Sequence, residues 1–426
     1  METLRVSIER NGAQVHVGTI SGSRIRDAVF RYSAEYLASS DPVPVSVSLP
    51  LQRSSFSPET TACFFEGLLP EGFTRRTVAS WAHAHENDYL TILSVLGEEC
   101  LGAIQILREG SSCPPAYYEK LSLDQVKALA REGAEKSAEI VTKTHISLTG
   151  ATGKAGLYLD PGTGSWFLPH GSAPSTHILK QSHIRLQHIV ANEQLALLTA
   201  SLLGLETPES FIVNVGHGRE GDVLFATPRF DRVISQTGRT ASGLPVPFRL
   251  HQEDFSQALG IPASEKYEPE GAHYMRDMFA LLRRVSSNPI RDQIRLWDTI
   301  VFDYLIGNTD NHVKNYSLLY GANLRKIRLA PAYDILSTAV YEQSTRDMAF
   351  RIGGDHSLDD ISRSSFLDAA KEAGLGSRLA MRRFDTLAEE FPSALSKAVE
   401  RLSEAGYEQA ETIGRQIMQR GGCARL

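Results

Sequence analysis

Gly307-Asn-Thr-Asp-Asn-His-Val-Lys-Asn315 is the stretch that decides the reading, because it follows a helical pattern ending near Ile306 and sets a carboxylate and an amide five residues apart. Asp310 and Asn315 have the D-x-x-x-x-N spacing of a phosphoryl-transfer loop, in which the Asp accepts a hydroxyl proton and the Asn binds Mg²⁺. Taken alone, the same residues describe a polar turn whose side chains bond their own backbone.

Working outward, Asp334 in Ala332-Tyr-Asp-Ile335 lies 24 residues past Asp310, after a strand-like Ile327-Arg-Leu329. A second metal-binding carboxylate belongs there, although the Phe-Gly that follows it in many kinases is missing; the competing reading is a helix N-cap. Mg²⁺ takes hard oxygen ligands and keeps several waters, so Asn315, Asp334 and phosphate oxygens form a sufficient set. Upstream, the short strand Thr176-His-Ile-Leu-Lys180 ends in a lysine suited to ATP phosphates, and Glu193 on the next helix could pair with it. Before it comes Gly150-Ala-Thr-Gly-Lys-Ala-Gly156, whose backbone amides could cradle phosphate. Its glycines run G-x-x-G-x-x-G, which is neither a Walker A loop nor the dinucleotide fingerprint. His312, two residues past Asp310, is read as a γ-phosphate contact or as a loop-bracing histidine.

Around these motifs the chain changes character. Leu4 to Val47 alternates apolar and polar residues, and Val43-Pro-Val-Ser-Val-Ser-Leu49 continues the strand pattern. Two helical stretches, Phe64–Pro70 and Arg75–Leu96, precede a strand at Gly102–Leu107. The adjacent prolines in Arg108–Pro115 mark a linker and the first domain boundary. A hairpin is expected across Asp160–Ser165, a helix from Glu193 to Leu205, and strands at Phe211–Val215 and Val223–Ala226. Beyond Leu250 helical spacing dominates, from Arg291 to Ile306 and from Ser365 to Gln419. Strands first and helices second predict an α+β, two-lobed, protein-kinase-like fold with an N-terminal β-rich subdomain and a mainly helical C-terminal lobe. The expected division is 1–110, an ATP-binding region 116–250, and a helical lobe 251–426 carrying the catalytic loop.

Composition narrows the function classes. With 44 Lys and Arg against 50 Asp and Glu, the 426-residue chain carries a formal net charge of −6, and 42% of residues are hydrophobic. Such a chain is ordinary globular and does not grip nucleic acid by bulk charge. Cys63, Cys100, Cys113 and Cys423 have neither metal-knuckle nor disulfide-framework spacing, which fits a reducing cytoplasm. No signal peptide or membrane-spanning run is read, so a soluble cytoplasmic protein with no membrane partner is expected.

These residues, with Phe64-Phe-Glu-Gly-Leu-Leu-Pro-Glu-Gly72, Leu96–Ala103, Ser147–Leu157, Arg229-Phe-Asp-Arg232, Arg249-Leu-His-Gln-Glu-Asp254 and Met348–Gly354, resemble the HipA family over nearly the whole length. That family comprises serine/threonine kinase toxins of bacterial toxin–antitoxin modules. The resemblance implies Asp310 as catalytic base, Asn315 and Asp334 as Mg²⁺ ligands, and Lys180 on the ATP phosphates. It implies Thr149, Gly150, Ala151, Thr152, Gly153 and Lys154 covering the nucleotide, and Pro228, Arg229 and Phe230 as a hinge beside adenine. Ser147 matches a loop serine that such kinases phosphorylate on themselves, silencing the enzyme. The implied partners are a HipB-like DNA-binding antitoxin, operator DNA indirectly through it, and a protein substrate of the aminoacyl-tRNA synthetase class such as glutamyl-tRNA synthetase. The loop here departs from the family's common Gly-Ala-Gln-Glu-Lys, and Pro228 stands where an acidic hinge residue is usual.

Two other readings remain: a small-molecule kinase of the same fold, and a non-catalytic co-repressor that holds an antitoxin. Asp231 and Arg232 read as a structural pair. Lys371, Arg378, Arg382 and Arg383 read as a solvated helix face, with operator DNA as the minority alternative. His83 and His85 do not share a helix face and are not read as metal ligands.

Overall fold

The computed structural model describes residues 2–22, 24–144, 153–182, 186–234 and 238–425. The chain forms two compact units, each assembled from three segments: Met1–Gln181 with Ala226–Ala263 and Leu318–Ile327, and Ser182–Phe225 with Ser264–Ser317 and Arg328–Leu426. The linker expected at 108–115 lies within the first of these units. Pro114 and Pro115 place their carbonyls against Gly171, whose φ of +60° and crowded Cα admit no side chain.

The first unit opens on a hairpin. Strands β1 (Glu2–Arg10) and β2 (Ala13–Gly22) pair antiparallel across Asn11-Gly12, both in positive φ (51° and 80°). This Asn-Gly pair forms a type I′ turn, whose twist matches that of paired strands. Alternation puts Leu4, Val6 and Ile8 of β1 in the core, and β3 (Val29–Tyr32) and β4 (Ile104–Arg108) complete the order β3-β2-β1-β4. The segment Val43–Leu49, expected as a strand, makes only the isolated bridge Ser46↔Leu49. Its backbone is held by phenols instead: Tyr36 donates to the Val43 carbonyl (2.7 Å), and Tyr32 accepts from the Val45 N–H (2.9 Å) and donates to the Leu49 carbonyl (2.6 Å). Period-two patterning cannot distinguish a laddered strand from a segment whose partners are side chains.

A second sheet of this unit runs β5 (Tyr117–Lys120), β7 (Trp166–His170), β6 (Lys154–Leu159), β8 (His177–Gln181), with Ala226–Pro228, the end of the strand Val223–Pro228, beside β8. The expected hairpin across Asp160–Ser165 joins β6 to β7. The second unit is largely helical, with Ile189–Leu202, Tyr274–Val285, Pro289–Ile306, Arg363–Glu372, Ser377–Glu404 and Gln409–Arg420. The helix Pro289–Ile306 buries every residue from Leu296 to Ile306, so its C-terminal end is a rigid base for the loop that follows.

Candidate active site

That helix stops where its sequence demands. Gly307 takes φ +74° as the left-handed cap and returns its N–H to Asp303 and Tyr304. A Cβ there would lie 2.7 Å from the Ala339 Cβ and 3.0 Å from the Gly421 Cα, so conformation and space both require glycine. The chain then runs through Asn308, Thr309 and Asp310 under tight restraint. Thr309 accepts no freedom at its backbone, because its N–H donates to the Thr338 hydroxyl at 2.7 Å. The Asp310 N–H donates to Asn308 Oδ1 (3.2 Å), and Asn315 Nδ2 donates to the Asp310 carbonyl (2.8 Å). Asn315 thus closes the loop with its nitrogen, and its Oδ1 is an oxygen of the type that could ligate a metal. The Asp310 side chain is 52% exposed.

Beneath the loop lies a buried carboxylate that sequence reasoning missed. Asp303 accepts from Asn308 Nδ2 (2.8 Å) and from the Tyr316 hydroxyl (2.9 Å). Burial pushes its carboxyl up to about 7, against hydrogen bonds from Asn308, Tyr316 and Asn311. One acid therefore ties together residues on both sides of Asp310. The available signal was an Asp amid the apolar run Ile300-Val-Phe302 and Tyr304-Leu-Ile306, where a charge is costly unless partnered.

Asp334 stands at φ +57°, a left-handed conformation that a non-glycine residue adopts only when its surroundings impose it. No helix begins after it, which rules out the N-cap alternative. Its neighbour Tyr333 fastens the segment to the catalytic loop, bonding the Ser317 hydroxyl (2.6 Å) and donating to the Lys314 carbonyl (3.1 Å), one contact on each side of Asn315 and Tyr316. On the far side, Ser337 exchanges hydrogen bonds with Asn192: Nδ2 to the Ser337 carbonyl at 2.8 Å, and the Ser337 N–H to Oδ1 at 3.0 Å. Asn192 immediately precedes Glu193, which is buried in the helix Ile189–Leu202. The strained carboxylate is thereby clamped from the loop and from the helix of Glu193. Oxygen ligands from Asn315 and Asp334 suit a hard divalent cation such as Mg²⁺. His312 is buried, with Nε2 at 4.0 Å from Asp310 Oδ1, too long for a hydrogen bond.

The remaining candidates belong to the first unit. Lys180 is buried near the end of β8 and lies directly opposite Lys154 of β6 in the antiparallel register. Gly153 precedes them; a Cβ there would meet the Ala134 Cα at 2.9 Å and collide with the Gln181 amide. Thr149, Gly150, Ala151 and Thr152, with Ser147, lie outside the described residues.

Arg229 has its side chain taken up in a buried ionic cluster. Its N–H donates to the Thr176 carbonyl (2.8 Å), and its guanidinium, 1% exposed, bonds Asp231 (2.9 and 3.0 Å), Ser175 (3.0 Å) and Glu99 (3.3 Å). Arg232 joins Glu99 (2.9 Å) and Asp231 (2.8 Å). The expected Asp231–Arg232 pair is half of a buried four-member ionic cluster. Burial alone would raise the Asp231 carboxyl, but Arg229 and Arg232 outweigh it and hold it far below the usual range. Pro228 and Phe230 are half-buried beside this cluster in sequence. Glu99 comes from the Leu96–Ala103 motif, so that motif is tied to Arg229 and Arg232. In the second unit, Arg383 is spent on Asp298 (2.6 and 3.0 Å) and Lys371 on Asp368 (2.7 Å), which accounts for half of the basic cluster structurally.

An α+β chain with a helix-capped Asp/Asn loop and a strained second carboxylate has the organisation of a kinase-like phosphotransferase, and comparison with known proteins names the family. Residues 12–107 match the family model of the HipA N-terminal domain and residues 146–395 that of the HipA-like C-terminal domain. The chain belongs to the HipA family of toxin kinases. It is 33% identical over 399 residues to "Putative kinase Y4mE" of Sinorhizobium fredii, covering 91% of this chain and 90% of that protein. To the serine/threonine-protein kinase toxin HipA of Shewanella oneidensis it is 24% identical, over 96% of this chain and 93% of that one. The solved Shewanella oneidensis complex of HipA, HipB and operator DNA superposes with a TM-score of 0.80 at 21% identity, over 99% of this chain and 97% of that one, and shows the fold. Among the described residues, no helix is long and apolar enough to cross a membrane.

Proposed function

We propose that the protein is an ATP-dependent serine/threonine protein kinase that acts as the toxin of a toxin–antitoxin module. The observation that carries this reading is the loop itself: an exposed Asp310 carboxylate on a backbone closed by Asn315 and undergirded by buried Asp303. Asp310 accepts the proton of the acceptor hydroxyl as its oxygen bonds to the γ-phosphorus, and ADP departs with the electrons of the broken phosphoanhydride bond. Asn315 and Asp334 would hold Mg²⁺, which when bound offsets phosphate charge. Lys180, with Lys154 opposite it in the sheet, supplies positive charge for the phosphates.

The acceptor class to test first is an aminoacyl-tRNA synthetase, glutamyl-tRNA synthetase in particular, with growth arrest as the consequence. A HipB-like antitoxin, and operator DNA through it, are the partners suggested by the relative solved with both. Phosphorylation of Ser147 would add about −1.5 to −2 charges beside the phosphate site and silence the enzyme. Phosphopeptide mapping of bacterial cells expressing wild type or Asp310→Ala tests these points together. The reading requires the target site and Ser147 to be labelled in wild type alone, and labelling at equal levels in both would overturn it.

A further inference from the structure

Backbone restraint fixes where Asp310 begins but not where its carboxylate points, and an exposed aspartate rotates freely unless something holds it. Among the described residues, the one hydrogen bond that this carboxylate accepts comes from the Tyr267 hydroxyl, 2.6 Å from Oδ1. We infer that Tyr267 is the positioning residue for the catalytic base: it occupies Oδ1 and leaves Oδ2 to take the acceptor's proton. The inference rests on the reading of Asp310 as that base.

Tyr267 is no casual surface tyrosine. The short segment carrying it is fastened on each side. The Lys266 carbonyl accepts from the Val313 N–H in the catalytic loop (3.4 Å), and the Glu265 carbonyl accepts from the Tyr274 hydroxyl (2.6 Å). Glu268 is buried, donates its N–H to the Ala349 carbonyl (2.8 Å), and accepts from the Tyr274 N–H (2.7 Å) and from the Arg351 N–H (2.9 Å) and guanidinium (3.0 Å). The ring is 49% exposed and meets the His312 ring edge to face at 5.4 Å, with the Lys266 ammonium 5.5 Å from its centroid. A fixed strap thus presents a phenol to the base from outside the catalytic loop, with His312 bracing the ring rather than bonding the carboxylate. An O–H donor to a carboxylate is a strong, directional bond, suited to selecting one rotamer of Asp310 before the acceptor arrives.

The test is steady-state phosphorylation of whichever of glutamyl-tRNA synthetase and dephosphorylated casein the wild type labels faster, using Tyr267→Phe, Asp310→Ala and the double variant. Tyr267→Phe keeps the ring and the fold and removes the donor. Expected is a fall in kcat of roughly tenfold or more, the kinetic equivalent of one hydrogen bond to a charged group, with KM for ATP unchanged. In the Asp310→Ala background the same substitution should cost nothing further, because its effect travels through that carboxylate. Wild-type kcat in Tyr267→Phe, a raised kcat, or an equal loss in the Asp310→Ala background would each overturn the inference. Full activity of Asp310→Ala would instead remove the base assignment on which it stands.

Discussion

Asp303→Asn replaces a buried acid by its isostere and isolates the charge beneath the catalytic loop. With a folded value of about 7 and an unfolded one near 3.9, the native state holds a proton that the unfolded state has released between these limits. The sign follows from proton binding: the contribution is complete below about pH 4, is lost as pH rises, and is gone above about pH 7. Between pH 5 and pH 8 the loss amounts to roughly 2 to 3 kcal/mol. Burial pushes Glu253 up to about 7 as well, opposed by hydrogen bonds from Ser46, Tyr320 and the Val47 N–H, so wild type alone would report both acids. Urea denaturation of wild type and Asp303→Asn at pH 5 and pH 8 separates them. The stability difference between the two proteins should shift by that amount in favour of the variant at pH 8. The same pH dependence in both would refute the assignment of the raised value to Asp303.

Asp334→Asn, which removes a charge from the proposed metal site, should weaken Mg²⁺–ATP binding by more than roughly tenfold, and by more than Asp310→Ala does. Calorimetry with and without Mg²⁺ measures this, and unchanged affinity would take Asp334 out of the site. Arg229→Ala leaves Glu99 and Asp231 short of a buried partner and should cost about 3–5 kcal/mol in urea denaturation. A cost under about 1 kcal/mol would show that the cluster reorganises around its remaining arginine.

The legibility of this chain varied with the range of the interactions involved. The loop Gly307–Asn315 was readable as a candidate because the Asp310 and Asn315 spacing is written in consecutive residues. The structure pairs β1 with β2 across Asn11-Gly12, and the strand character after Leu4 was readable from alternation. Asp303 and Tyr267 were not, because each acts on Asp310 through folded contacts that no spacing records. The ionic cluster of Arg229 was not readable because its partners Glu99 and Ser175 lie 130 and 54 residues away. Val43–Leu49 had the right period but phenolic partners in place of a neighbouring strand. The prolines near 114 signalled a break in regular structure, and they form a tight crossing over Gly171.

The central claim is that Asp310 is the base of a phosphoryl transfer, and a γ-labelled ATP transfer assay on purified wild type and Asp310→Ala tests it most directly, with nucleotide affinity measured on the same samples. The account predicts that Asp310→Ala binds Mg²⁺–ATP and melts as wild type does while transfer to protein falls by roughly a hundredfold or more, the scale of a lost general base. Transfer by Asp310→Ala at the wild-type rate would contradict it.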